Sequence, residues 1–379
     1  MSVAILGFGV VGSGAYEILS ACGYEVKKIL DLRQFEELKE KLTASFDDIL
    51  GDEEIKVVVE AMGGLEPAHT YVAAALKAKK NVVTSNKYLM CTYYDELVTL
   101  AKENGVTIRF GASVGGGIPW IYNLTRNSKT NEITKIKGIM NGTTNFILDE
   151  MGRKGKSFEE ALKIAQDLGY AERDSSADID GLDVARKTAI SASIAFGGRI
   201  KEEDVAVFSL RHVRDTDIKY AKEKLGLALR YMGEAEKVGD SISVSVEPTL
   251  IGESELEAHV YENNNLISLY GKNCGRLSFY GQGAGKYPTG DTVALDVIDI
   301  IGGIKGLPTF TNVKTDNSVK KRRYFIRTSS DYADDAFSKE EKTGEDRYII
   351  TSEISEIKIH GIYKNLLADK DTFIARIEE

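Results

Sequence analysis

A chain of 379 residues with a formal net charge of −9 is too long for one core, which stops growing near about 250 to 300 residues. It is also too acidic for a nucleic-acid partner, whose phosphates must be neutralised by Lys and Arg. Its apolar and charged fractions, 42% and 28%, are those of an ordinary globular protein, and no apolar run approaches the roughly 18 residues that cross a bilayer. Cys22, Cys91 and Cys274 are odd in number and far apart, which suggests neither a disulfide framework nor a zinc site. With no secretory pattern at its start, a cytoplasmic protein without a membrane partner is expected.

Ser2–Leu6 is a short apolar run that reads as a buried strand, and a helix follows it after a glycine loop. Residues 26–30 read as a second strand and 35–42 as an amphipathic helix. The alternation continues through a strand at 55–59, a helix at 67–79, a strand at 81–84, a helix at 92–103 and a strand at 106–110. Strands alternating with helices predict a parallel, doubly wound sheet, because parallel strands need long crossovers. Beyond 115–119 the pattern changes. Strand-like stretches at 133–140, 241–248 and 256–262, with helices near 158–168 and 182–196, predict a mixed α+β domain. A second glycine-rich turn at 281–291 precedes an apolar helix, and a more polar tail carries strand candidates at 324–327, 348–354 and 372–377. The expected fold class is α/β: a Rossmann doubly wound sheet, a mixed α+β substrate and dimerisation domain, and a small C-terminal α+β region. The expected boundaries are 1–128, completed by a helix at about 285–305, then 129–284, then 310–379. The basic run 320–323 reads as a solvated strand edge.

Gly7-Phe8-Gly9-Val10-Val11-Gly12 matches G-x-G-x-x-G between a strand and a helix. The first glycine permits the tight turn, the second lets a pyrophosphate approach the backbone, and the third allows close packing of helix on strand. The helix N-terminus adds free N–H groups and positive dipole. Without the flanking strand and helix the pattern would be weak; with them it predicts dinucleotide binding. Asp31, 19 residues after Gly12, stands where an acid bonds the adenosine ribose of NAD. Arg33 complicates this, because an Arg here can take the 2′-phosphate of NADP, so NAD or NADP is expected with a lean to NAD.

The densest polar constellation runs from Gly169 to Lys187. As a calcium loop with Gly181 at the sixth position, it would place Ser176 first and Lys187 twelfth, where a bidentate Glu is required. Asp183 and Lys187 are four apart in a helical stretch, so the carboxylate can orient the ammonium. A catalytic pair and an ordinary surface ion pair weigh evenly on this spacing.

Thr84-Ser85-Asn86-Lys87, the stretch 112–119, Gly142-Thr143-Thr144-Asn145-Phe146-Ile147-Leu148, the stretch 169–187, and Gly283-Ala284-Gly285 with Pro288-Thr289 together closely resemble homoserine dehydrogenase. The motifs stand in that family's order and cover roughly residues 1 to 305. The resemblance implies that Lys187 gives and takes the proton, that Asp183 positions it, and that Lys87 lies near the reacting carbon and the cofactor. It makes Glu172 and Asp178 the carboxylates that hold the amino-acid substrate, with Gly142, Thr143 and Tyr170 lining the pocket. Gly169 and Gly285 approach the cofactor together with Gly7, Phe8, Gly9, Val10, Val11, Gly12, Asp31 and Arg33. Carbonyls of Gly111, Val114, Gly116 and Ile118 correspond to a structural Na+ site, and family members pair as homodimers through the sheet of the substrate domain.

Four departures stand out. Gly111 replaces the usual Glu. Leu30 replaces a basic residue common before the acid, which supports the lean away from NADP. Arg173 and Ser175 replace small residues or proline. The tail has no evident match to the family's amino-acid-binding regulatory domain.

The implied chemistry is the NAD(P)-dependent interconversion of L-homoserine and L-aspartate 4-semialdehyde. An α-ammonium needs acidic partners, and an aldehyde oxygen gaining charge needs a cation and a proton donor. A semialdehyde dehydrogenase acting through a cysteine thioester needs an activated Cys, and none of the three cysteines has such a setting. The alternatives kept open are a dehydrogenase of another amino alcohol and a nucleotide-sensing regulator without turnover.

Overall fold

The computed structural model describes residues 2–304, 310–366 and 371–378, and counts of elements are of those residues. Two compact units are formed, Met1–Thr130 with Gly281–Phe310, and Asn131–Tyr280 with Thr311–Glu379. The expected endpoints at Lys305 and Glu379 lie outside the described residues.

In the first unit six parallel strands run in the order β3-β2-β1-β4-β5-β6. They are β1 (Ser2–Leu6), β2 (Val26–Leu30), β3 (Leu42–Thr43), β4 (Ile55–Glu60), β5 (Asn81–Thr84) and β6 (Ile108–Arg109). β1 and β4 are buried almost throughout because helices cover both faces of a parallel sheet. The strand order reverses between β1 and β4, so the glycine loop after β1 opens at the switch point where such sheets bind ligands. The helix α1 (Val10–Ala21) follows. The helix Lys286–Ile301 closes the unit from far along the chain: a Cβ on Gly14 would lie 2.1 Å from the Lys286 carbonyl, and one on Gly290 would lie 2.7 Å from the Gly14 backbone. Only glycine at both positions permits that approach.

The amphipathic helix expected at 35–42 does not form. A 3-10 turn at Glu36–Leu38 leads into β3, where the Ile29 and Asp31 N–H groups donate to the Lys41 and Thr43 carbonyls. Pairing at the open edge of the sheet outweighs a weak helical period.

The second unit is built on a twelve-stranded mixed sheet. Its main path runs Gly275–Gln282, Asn264–Gly271, Ile133–Ile139, Leu227–Val238, Ser241–Gly252, Phe373–Glu378, Lys321–Thr328, Asp346–Thr351, Phe337–Thr343. The helix Leu182–Phe196 lies so close on one face that a Cβ on Gly233 would stand 2.1 Å from Thr188 Oγ1. The stretch 256–262, expected as a strand, is instead a 3-10 turn at Leu256–His259. Arg230, buried beneath it, donates to the Glu257 and Ala258 carbonyls, which ladder pairing would otherwise use.

The C-terminal stretch, expected as a small region of its own, continues this sheet. Phe373–Glu378 pairs with Ser241–Gly252 in parallel and with Lys321–Thr328 in antiparallel register. Arg327 fixes the junction, donating to Asp217 Oδ1 at 2.7 Å and to the His212 carbonyl at 2.6 Å. The basic run 320–323 is correspondingly not a solvated edge. Arg322 is 6% exposed and donates to Glu234 Oε1 at 2.7 Å, as does Lys320 at 2.8 Å. A buried carboxylate needs such cations nearby, and an isolated sequence shows no trace of it.

Glu356, 1% exposed at the start of the helix Glu356–Leu366, sits 3.8 Å from Arg322 in this polar layer. Burial, then the Glu247 carboxylate, raises its pKa from 4.5 to about 9. Between those values the folded state holds a proton that the unfolded chain has released, so stability present at acid pH is lost as pH rises towards about 9. Glu356→Gln, neutral throughout, is therefore expected to gain on wild type by up to ~1.4 kcal/mol per pH unit. Thermal melts from about pH 5 to about pH 8 check this. Parallel melting temperatures for the two proteins across that range would refute it.

Candidate active site

The cofactor side is shaped by backbone. Gly7 adopts φ +88°, and a Cβ there would stand 2.9 Å from the Ala61 carbonyl. One on Gly12 would stand 2.0 Å from the Gly7 carbonyl, while around Gly9 the space within 4 Å is open. The turn is thus closed on the protein side and accessible where a pyrophosphate lies, at the start of α1. Phe8 and Val11 pack on the core and Val10 is exposed. At the end of β2 the Phe8 N–H donates to Asp31 Oδ2 at 2.7 Å. Arg33 forks the same carboxylate, Nε to Oδ1 at 3.0 Å and Nη2 to Oδ2 at 2.8 Å. The Arg33 guanidinium, with the Arg33 and Phe8 N–H groups, holds Asp31 far below the usual carboxylate range. The guanidinium also lies 5.3 Å from the Phe35 ring centroid, and Phe8 meets Phe35 edge-on. Gly285 takes φ +131° immediately before the helix Lys286–Ile301.

Lys87 begins the helix Lys87–Glu103 and is half-buried. Asn86 places it, accepting from the Leu89 N–H at 3.0 Å and donating to the Gly64 carbonyl at 2.6 Å. Below lies Glu60, fully buried at the end of β4, which accepts from Thr84 Oγ1 and from the Met62 and Gly63 N–H groups. Burial raises its pKa. Neither Asn86 as a cap nor Glu60 as an anchor was evident in the sequence, although Asn before a helical run is a capping signal.

In the same unit Gly111, Val114, Gly116 and Ile118 lie on one irregular loop, with Gly115 and Gly116 at φ +89° and +55°. The Gly116 carbonyl accepts from Thr292 Oγ1 at 2.7 Å and that of Ile118 from the Trp120 N–H at 2.7 Å. Each keeps a second lone pair. A set of carbonyl oxygens fits a hard cation.

The second unit holds the polar array. Lys187 and Asp183, 8% and 7% exposed, form a buried pair on one helix face, Nζ to Oδ2 at 2.8 Å. Lys187 Nζ also donates to the Met140 carbonyl at 2.7 Å. The hub is Asn141, which sequence reasoning missed. Its Nδ2 donates to Asp178 Oδ1 at 2.7 Å and to Asp183 Oδ2 at 2.8 Å, and its Oδ1 accepts from the Thr144 N–H at 2.8 Å, capping the helix Gly142–Lys154. Gly142 packs on the Asn263 carbonyl, from which a Cβ would stand 2.6 Å. Thr143 Oγ1 donates to the Tyr170 carbonyl at 2.6 Å, and the Tyr170 ring meets Phe146 edge-on. Gly169 turns the chain at φ +77°. Asp178, Asp183, Lys187, Thr143 and Tyr170 are thereby gathered through Asn141 and its helix. Glu172 is exposed, its carbonyl held by Gln166. Asp180 is forked by Arg211 at 3.0 and 2.6 Å and does structural work instead.

A buried ammonium with two fixed acceptors, one of them a carboxylate, is the arrangement of a positioned acid, and the first unit carries a dinucleotide loop. The family model for homoserine dehydrogenase matches residues 119–298, and that for the homoserine dehydrogenase NAD binding domain matches residues 7–111. A homoserine dehydrogenase of Bacillus subtilis is 41% identical over 318 residues, 80% of this chain and 73% of that protein. The chain belongs to the homoserine dehydrogenase family. One from Synechocystis is 42% identical over 319 residues, with 80% and 73% covered. The crystal structure of a homoserine dehydrogenase from Thiobacillus denitrificans superposes with a TM-score of 0.89 at 30% identity, covering 100% of this chain and 98% of that one. A hyperthermophilic archaeal homoserine dehydrogenase mutant in complex with NADPH matches 81% of this chain with 99% of its own, at TM-score 0.69 and 27% identity.

Homoserine dehydrogenases are oxidoreductases acting on a CH–OH group, with a small-molecule substrate and an NAD-binding domain. Among the described residues no helix is long and apolar enough to cross a membrane.

Proposed function

We propose that this chain interconverts L-homoserine and L-aspartate 4-semialdehyde with NAD preferred over NADP, and that it works as a homodimer. The observation that carries the reading is the Asp178–Asn141–Asp183–Lys187 array, buried apart from the half-buried Asp178. A nicotinamide cofactor supplies the hydride acceptor or donor. Lys187 directs two of its three N–H bonds to Asp183 and Met140, and the third serves the substrate C4 oxygen. As that oxygen gains negative charge in the reductive direction, Lys187 gives it a proton; in the oxidative direction the amine takes the proton back. Asp183 holds the ammonium in place through both steps. Asp178, aimed by Asn141, binds the substrate ammonium with Glu172, and Lys87 offers a second cation to the developing alkoxide. Gly142, Thr143 and Tyr170 line the substrate pocket, and the Gly111, Val114, Gly116 and Ile118 carbonyls would hold a structural Na+. Homoserine-dependent reduction of NAD and of NADP, followed spectroscopically, tests the activity. Absence of both would remove it.

The cofactor preference follows from Asp31. Its carboxylate, held ionised by Arg33, stands at the end of β2 where a ribose diol lies and repels a 2′-phosphate, and the Arg33 guanidinium is committed to it by two hydrogen bonds. Asp31→Ser is expected to lower kcat/KM for NAD by roughly 10 to 100-fold, the value of a charged hydrogen bond of about 1.5 to 3 kcal/mol. The same change frees Arg33 for a phosphate, so use of NADP should hold or rise. A wild type that favours NADP would reverse this account.

A further inference from the structure

We propose that a cavity of about 250 Å3 in the second unit, lined by Arg230, binds a small amphipathic monocarboxylate, a short aliphatic acid. Among the described residues five arginines are less than a tenth exposed. Arg322, Arg327, Arg347 and Arg376 each face a carboxylate at 3.2 Å or nearer. Arg230 faces none. Its guanidinium donates to the Leu229, Glu257 and Ala258 carbonyls at 2.9, 3.0 and 2.5 Å, three neutral acceptors. A guanidinium has five N–H bonds and stays charged, so two bonds and the whole charge remain for a ligand. Burial pushes its pKa down from the ordinary value, as expected of a buried cation short of a counter-charge. Asp149, the carboxylate whose charge reaches it, is committed to Arg153 Nη1 at 3.2 Å and to the Glu262 N–H at 3.1 Å. Exposed Lys222 and Glu253 complete the charged lining, so three cations stand against two carboxylates. A surplus of one positive charge suits a monocarboxylate and falls short of a phosphate dianion.

The rest of the cavity is built for an apolar body. Leu148 and Leu229, both buried, and the half-buried Ile218 and Leu227 form its walls. Its volume lies just below the roughly 300 Å3 at which drug-sized sites begin, which limits the ligand to a short chain. A carboxylate suits the two remaining N–H bonds, since Arg–carboxylate pairs are often bidentate. At the rim Arg153 lies over Tyr261, 4.5 Å from the ring centroid, and His259 Nε2 donates to the Glu253 carbonyl at 2.7 Å, so the mouth is held in place. Leu148, Asp149 and Arg153 belong to the helix that Asn141 caps, yet the cavity shares no residue with the Asn141 array.

Isovalerate is the probe, titrated into the full chain by calorimetry and followed by melting temperature. Binding should be saturable. Acetate, which lacks the chain, and 3-methylbutanol, which lacks the charge, should each bind weaker by roughly tenfold or more, the lower value of a charged hydrogen bond for the alcohol. Arg230→Met keeps an apolar stem and removes the charge, so half-saturation should rise by a similar factor. A wild type that does not bind isovalerate, or binds acetate or the alcohol as tightly, overturns the proposal. So does binding that saturating homoserine displaces, which would place the probe among the substrate-binding groups, and so does a folded Arg230→Met protein with unchanged half-saturation. If that variant does not fold, Lys222→Glu, at an exposed position, decides: it turns the surplus charge negative, and half-saturation should rise severalfold. Unchanged binding in Lys222→Glu refutes the site.

Discussion

Lys187→Ala is expected to lower kcat for homoserine oxidation about a thousandfold, within the range that a positioned acid or base contributes. The reason lies in the pairing around the side chain. Lys187 is the group in the array able to give up a proton and take it back; Asp183 serves it, and Asn141 serves Asp183. Truncation leaves Asp183 with the Asn141 donor, so the buried carboxylate is not stripped of every partner, and the variant should fold. Losing the Lys187 partner still costs stability, because a buried charge depends on its partners. Steady-state kinetics with both cofactors, beside a thermal melt, separate the two effects. A folded Lys187→Ala enzyme with near-normal turnover would move the proton to another group and end the role proposed for Lys187.

Asn141→Asp should cost about a hundredfold in kcat/KM while the helix it caps survives. Asp caps a helix as well as Asn does, so the bond from the Thr144 N–H is retained. The other end of the side chain changes sign of behaviour. An amide donor at 2.7 and 2.8 Å from two carboxylates becomes a third carboxylate, and like charges at that distance cannot all remain ionised. One must take a proton or the array must open, and either disturbs Asp178 and Asp183 together. The expected signature is a raised KM for homoserine with a lowered kcat, at a far-ultraviolet circular dichroism spectrum like that of wild type. Asn141→Ala makes the complementary comparison, losing the cap and about 1 kcal/mol with it but introducing no charge. If Asn141→Asp proved no worse than Asn141→Ala, the bridging role would be lost and capping alone would remain.

Much of this site could be read from local pattern. The glycine loop, Asp31 after β2, and the i,i+4 pair of Asp183 and Lys187 are short-range features, because turn geometry and helix periodicity act over a few residues. Asn141 and Glu60 could not be found that way. Besides local backbone N–H groups, their partners stand 42 and 37 residues away for Asn141 and 24 for Glu60, and nothing near either residue states which of these distant groups it will meet. The same limit explains the tail. Its strands Tyr324 and Tyr348 belong to were visible as β-rich runs, but their neighbours were not. Strand pairing is set by the burial of whole faces and not by the strand's own composition.

The sequence by itself determined that a dinucleotide loop opens the chain, that its first unit is a doubly wound sheet, and that a carboxylate and a lysine share a helix face. Tertiary structure alone decided that the pair is buried, that Asn141 ties Asp178 to it, and that Arg322 neutralises Glu234 inside a sheet instead of lying on its rim. The division has one cause: backbone propensity and side-chain spacing are local, whereas desolvation depends on what the rest of the chain brings to cover a group.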